Sequence, residues 1–319
     1  MHKSAFARGL PVTTTLVLVA LILLFTGSSA WATYPGQNGR IAYVANPTGT
    51  DQIYTMNPDG SDIRQITHFA SSGVGMPDFS PDGRRIVFVH DMTGQSELYV
   101  INADGTGLVQ LTNDPGRRKL MPRWSPDGTR IVLHRESLRT HLGVITTMRA
   151  NGTGDSTELT DDLFDSAQPE YTPDGRQIMF GSQSGGLVSA VWIMNANGSY
   201  KRRLTAAPLE AGGPDVSPDG QHIAFYSQQN TDLPTSIWVM DIDGHHKSRL
   251  TGPEHFDVYP IYSPDGNQIV FTGDSLTDGP VNIFTMNADG SGIQQIATGL
   301  VFGGCPDGNC LTPDWGAKP

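Results

Sequence analysis

The sequence predicts an all-β fold, a six-bladed β-propeller of four-stranded blades closed by pairing of the C-terminal strand with the N-terminal blade. Three observations predict it: a repeat of 45 to 47 residues, strand signals separated by Asp-Gly and Asn-Gly turns inside each repeat, and an incomplete repeat at each end of the chain. Of 319 residues, 37 are Gly and 22 are Pro, a composition that favours short strands and turns over long helices.

Pro77-Asp78-Phe79-Ser80-Pro81-Asp82-Gly83 recurs in variant form from Pro122, Pro169, Pro214 and Pro260. A period of this length holding several short strands marks propeller blades rather than a helical solenoid. In the first complete unit, Pro77 to Ser80, Ile86 to His90, Leu98 to Ile101 and Leu108 to Thr112 read as four strands. Between the first two, Ser80-Pro81-Asp82-Gly83 suits a tight turn, because Pro presets φ and Gly accepts the left-handed conformation that closes it. Asn102-Ala103-Asp104-Gly105 does the same later, and Asp59-Gly60, Asn151-Gly152, Asn197-Gly198, Asp243-Gly244 and Asp289-Gly290 repeat this hairpin signal.

At the N-terminal end, Arg40 to Asn46, Ile53 to Asn57 and Ile63 to Thr67 supply only the second, third and fourth strands of a blade. The missing first strand is Thr312-Pro313-Asp314-Trp315-Gly316, which repeats a blade opening. Pairing it with Ile41 to Val44 closes the ring and covers sheet edges that invite aggregation. One domain, residues 33–319, results. The column Phe79, Trp124, Tyr171, Val216, Tyr262 and Trp315, with Phe88, Phe180, Phe225 and Phe271, is expected between blades, since one member recurs in each repeat.

Residues 1–32 read as a secretory signal peptide. Lys3 and Arg8 form a basic start, Val12 to Phe25 an apolar stretch shorter than the ~20 residues of a span, and Ala30-Trp31-Ala32 a cleavage site. The protein is therefore expected to be exported, periplasmic or extracellular, with membrane attachment only if that segment is uncleaved. In such a compartment Cys305 and Cys310 are expected to close a small disulfide loop. The formal charge of -11 disfavours nucleic acid and anionic membranes as partners. A monomer is expected.

Variation concentrates in the loops opposite the Ser-Pro-Asp-Gly turns, where binding on a repeated scaffold is usually placed. Two columns point toward that face. After each opening Pro stand Asp78, Arg123, Glu170, Asp215, Ile261 and Asp314; ending each second strand stand Asn46, Asp91, Glu136, Gln183, Gln228 and Asp274. Together they form a net acidic rim around the channel mouth, suited to a cationic peptide segment, a sugar or a hard cation. The same carboxylates could instead cap neighbouring backbone. His90, His134 and His141, with His68 and His255 in adjacent loops, have no spacing that fixes shared coordination, so no metal is assigned. Asp241-Ile242-Asp243-Gly244 opens like a calcium loop, but Gly252 stands where a bidentate Glu is required. No nucleophile elbow, zinc-protease motif or phosphate loop appears, and no cofactor or catalytic residue is expected.

The unit S/T-P-D-G, then I-x-F, then I-W/Y-x-M-N-x-D-G, then R/Q-x-L-T resembles the repeat of the TolB propeller. Thr172-Pro173-Asp174-Gly175-Arg176-Gln177-Ile178-Met179-Phe180 and Val191-Trp192-Ile193-Met194-Asn195-Ala196-Asn197-Gly198 carry the resemblance well. Similar repeats occur in propellers attached to prolyl-oligopeptidase-type and tricorn-type peptidases and in oligogalacturonate lyases. TolB works in the bacterial envelope, where its propeller, preceded by an α/β domain, binds the peptidoglycan-associated lipoprotein; here only a few residues separate Ala32 from the first blade. The resemblance implies an exported, non-enzymatic binding module that recognises a protein or peptide, such as a cell-envelope component. The alternative is a metal-assisted lyase or hydrolase acting on a glycan in the channel.

Overall fold

A computed structural model describes residues 36–319 apart from 72, 92–94, 155, 185–188, 207–209, 229–233, 275–280 and 301–311. Residues 1–32, expected to be a signal peptide, and Cys305 and Cys310, expected to form a disulfide, lie outside the described residues, as does part of the loop before Thr312. Among the described residues no helix is long and apolar enough to cross a membrane.

Six four-stranded antiparallel sheets form the blades. The second blade comprises Val74–Phe79, Arg85–Asp91, Ser96–Asn102 and the outer pair Val109–Gln110. Inner strands of the next four blades are Arg117–Trp124, Ser166–Tyr171, Ala211–Val216 and Asp257–Tyr262. The first blade takes its inner strand, Asp314–Ala317, from the far end of the chain, with Ile41 opposite Trp315 and Ala42 opposite Asp314. Each inner strand touches the next around the full circle, so the predicted closure is present.

The turns follow from their sequences. In the second blade Gly83 N donates to Ser80 O at 2.8 Å, Ser80 Oγ donates to Asp82 Oδ1 at 2.6 Å, and Gly83 takes a φ of 65°. The later Asp-Gly and Asn-Gly turns have a second reason for glycine. A Cβ on Gly60, Gly105, Gly152, Gly198, Gly244 or Gly290 would stand 2.4 to 3.1 Å from the carbonyl oxygen of a residue in or just after the outer strand of the preceding blade. Blades therefore stack at their outer corners through bare backbone.

The core is divided among six apolar clusters, each spanning two adjacent blades. Trp124 packs with Met76, Val87 and Leu98 of the blade before it, and Trp315 with Ile261 and Val270 of the sixth blade. The repeated aromatic column thus fills the wedges between sheets, where large flat side chains bury the most area.

Candidate functional site

Each of the five complete inner strands carries a bulge just before its opening Pro. Register slips between Gly75 and Asp78, Leu120 and Arg123, Ala167 and Glu170, Gly212 and Asp215, and Val258 and Ile261. The residues in the slip, Met76, Met121, Gln168, Gly213 and Tyr259, have φ values of 54°, 49°, 55°, 54° and 53°. For a non-glycine residue this left-handed backbone costs on the order of 1–3 kcal/mol and persists only where the surroundings enforce it. A bulge re-aims side chains, and here the residues on both sides of the Pro line the bore.

The bore has two levels. On the loop side lie Met121, Gln168, Gly213, Tyr259 and Thr312, with Arg123 and Ile261 at the base. Toward the turn side Asp78, Glu170, Asp215, Ile261 and Asp314 line a second, narrow cavity of about 20 Å³. All five polar residues of the first predicted column are therefore brought together, inside the bore and mostly buried.

Both levels are stitched blade to blade. Met121 N donates to Met76 Sδ at 3.2 Å and Gly213 N to Gln168 Oε1 at 2.7 Å. Below them Phe79 N donates to Asp314 Oδ2, Trp124 N to Asp78 Oδ2 and Tyr262 N to Asp215 Oδ2, each at 2.7 Å. Backbone capping is thus one role of these carboxylates, and lining the cavity is another. Glu170, one methylene longer, accepts instead from the N–H of its own successor, Tyr171, at 3.1 Å. Arg123 replaces the aspartate in the third blade. Its Nε lies 3.0 Å from Glu170 and its Nη1 3.7 Å from Asp78, so one cation serves a ring of four carboxylates.

Burial, reinforced by Asp314, holds the Asp78 carboxyl well above the usual range. Burial also raises Glu170 strongly and Asp314 less, in both cases against the opposing field of Arg123. Burial works to lower Arg123, but Asp78 and Glu170 more than offset it, and the guanidinium stays charged. A proton or an entering cation is what this ring accepts most readily.

Tyr226 backs the loop-side level from behind its lining. It accepts from Gln168 Nε2 at 2.8 Å, stands edge-on to Tyr259 at 5.7 Å, and is pushed by burial to about 12. A Cβ on Gly213 would meet its ring at 2.8 Å. Sequence reasoning missed Tyr226 and the residues before each Pro; the available signal was Gly212-Gly213, where the other blades carry a side chain at the second position.

The second predicted column stays outside both cavities. Asp274 Oδ1 accepts from Phe256 N at 2.9 Å, Glu136 lies 3.0 Å from His141 and 3.9 Å from Arg118, and Asp91 N donates to Gly73 O at 2.9 Å. His90 stacks on Phe69 at 3.9 Å, while His134 packs over Gly143 with Nε2 3.8 Å from Asp165; burial lowers both pKa values. Among the described residues no group of three His, Cys, Asp or Glu is arranged to hold a metal.

These features define a six-bladed propeller with a charged, inwardly bonded bore. The TolB beta propeller domain model matches residues 19–211 and 204–314, and the chain belongs to that family. Among solved structures it is similar to TolB from Acinetobacter baumannii, at a TM-score of 0.72 and 22% identity over 88% of this chain and 67% of that one. It is also similar to a putative TolB from Agrobacterium tumefaciens, at 0.65 and 21% over 89% of this chain and 99% of that one. A curated relative, an uncharacterized peptidase of Bacillus subtilis (strain 168) named YuxL, is 37% identical over 71 residues. That match spans 22% of this chain and only 11% of the peptidase.

Proposed function

We propose that this protein is an exported binding module, periplasmic or extracellular, whose residues 33–319 form the propeller and whose loop-side channel mouth receives a protein or peptide. One observation carries the reading: four carboxylates converge on a narrow bore with a single arginine among them. The partner presents a cationic side chain. Its stem packs on Tyr259 and Ile261, and its charge meets Asp78, Glu170, Asp215 and Asp314. Likeness to TolB propellers supports a protein as the partner class. Asp91, Glu136 and Asp274 act at the loop margin, where they orient the surrounding segments.

The test compares peptides that differ only in a central Lys, Gln or Glu, measured by fluorescence anisotropy against wild type and Glu170→Gln. The Lys peptide is expected to bind wild type best, with affinity falling about tenfold in the variant and on raising salt. Binding that ignores the peptide's charge would reject the reading.

A further inference from the structure

The third blade breaks the repeat on the face opposite the loops. The residue leading into the second turn is Asn57, Asn102, Asn195, Asp241 or Asn287 in the other blades. In four of these the Asn Nδ2 closes the turn by donating to a hydroxyl, Ser61, Thr106, Ser199 or Ser291, at 2.9 to 3.0 Å. The third blade has Arg149 instead, and its strand register sets Arg149 directly opposite Arg130. Like charges facing each other across an antiparallel pair are destabilising, so turn chemistry does not account for this residue.

Arg85 of the second blade joins them. Its guanidinium lies 4.7 Å over the ring of Trp124, which fixes its position. Arg130 Nε donates to the neutral Thr147 Oγ1 at 3.0 Å. The three arginines, with Thr129 and Asn151, line an open groove of about 440 Å³. None of the three has a carboxylate oxygen within 4.0 Å among the described residues, to which Asp155 of the third blade's second turn does not belong. The acids of the flanking turns are hydrogen-bonded locally: Asp82 Oδ1 accepts from Ser80 Oγ at 2.6 Å, and Asp127 Oδ1 from Ser125 Oγ at 2.6 Å and Thr129 N at 2.9 Å, while Asp82 also feels the charge of Arg85 from beyond ion-pair distance.

The first blade shows the neutralised version of the same position. Arg40, equivalent to Arg85 and Arg130, pairs with Asp62 at 2.9 Å. The residues equivalent to Asp62 in the next two blades are Gly107 and Gly154, at the same left-handed backbone position. No later blade carries an acid there either, Tyr200, His246 and Gly292 filling the position in the last three; what sets the third blade apart is the added Arg149, in a chain whose net charge is -11.

We propose that this groove binds a phosphate group carried by a small soluble molecule. Guanidinium groups approaching from two blades suit a tetrahedral dianion with several acceptor oxygens better than a planar monocarboxylate. The groove has the dimensions of sites for small molecules. A lipid phosphate suits it less, because an anionic bilayer repels the rest of this acidic protein.

The test is isothermal titration calorimetry with inorganic phosphate and glycerol phosphate, with acetate at matched ionic strength as control. Wild type is compared with Arg149→Asn, which restores the residue of the other blades, and with Gly154→Asp, where a Cβ has room 3.8 Å from Arg149. Wild type is expected to bind both phosphates, and each variant to lose about tenfold or more in affinity, as removal of one charge-assisted contact does. Equal phosphate binding by wild type and Arg149→Asn, or a wild-type response no larger than that to acetate, would overturn the proposal. So would binding to phosphatidic-acid vesicles without binding to the soluble phosphates.

Discussion

Asp257 lies at the start of the sixth blade's inner strand with 4% of its surface exposed, and burial raises its carboxyl to about 6 despite an opposing hydrogen bond from Thr251. Because the folded-state value lies above the ordinary 3.8, folding favours the protonated form. This contribution is complete below about pH 4 and is lost as pH rises through 6. Asp257→Asn stays neutral, so it is expected to match wild type near pH 4 and to exceed it at pH 7 by at most about 3 kcal/mol. Urea unfolding at the two pH values checks this, and a gap independent of pH would reject it. At this scale the repeat made Asp78, Arg123, Glu170, Asp215 and Asp314 legible, because a column in aligned repeats is a ring in the fold. Their hydrogen bonds were not legible. Asp78 is bonded to Trp124, which lies in the next blade, and no local pattern announces a partner so far along the chain.

The Asp-Gly and Asn-Gly turns show how an element can need glycine for two reasons at once. Gly49 has a φ of 88° and open space for 4 Å around the point where a Cβ would stand, whereas Gly152 has a φ of 74° and a Cβ there would meet Leu111 O at 2.8 Å. Gly49→Ala is expected to cost about 1–2 kcal/mol from the backbone alone. Gly152→Ala should cost about 1–3 kcal/mol more, because two blades must separate to admit the methyl group. Denaturant unfolding of both variants measures the difference. The turns themselves were readable from composition, since Asp-Gly between strand-like runs has few other meanings. The inner-strand bulges were not, because the residue before a proline locally prefers extended backbone, and packing around the bore overrides that preference at Met76, Met121, Gln168 and Tyr259.

For the whole molecule, closure rests on one short strand. Deleting residues 312–319 removes Trp315 from the cluster it shares with the sixth blade and Asp314 from Phe79 N, and leaves Asn38 to Ala42 as an unpaired edge. The melting temperature is expected to fall by roughly 10 °C or more, with loss of amide protection across Asn38 to Ala42. Calorimetry and hydrogen exchange report the two effects, and an unchanged melt would show that five blades and a remnant suffice. The closing strand was legible because Thr312-Pro313-Asp314-Trp315-Gly316 repeats the blade openings at Pro77, Pro122 and Pro169, and the first blade has no such segment of its own before Arg40. The clasp also governs the response to mechanical load. Lys318 N donates to Gln37 O at 2.9 Å, so the chain enters and leaves the toroid at the same corner of one antiparallel pair. Tension applied to the two ends loads those bonds one after another, as in a zipper, rather than all together in shear. A ring that resists heat through six shared interfaces would therefore open under modest pulling, and optical-trap unfolding should begin with release of Asp314–Ala317.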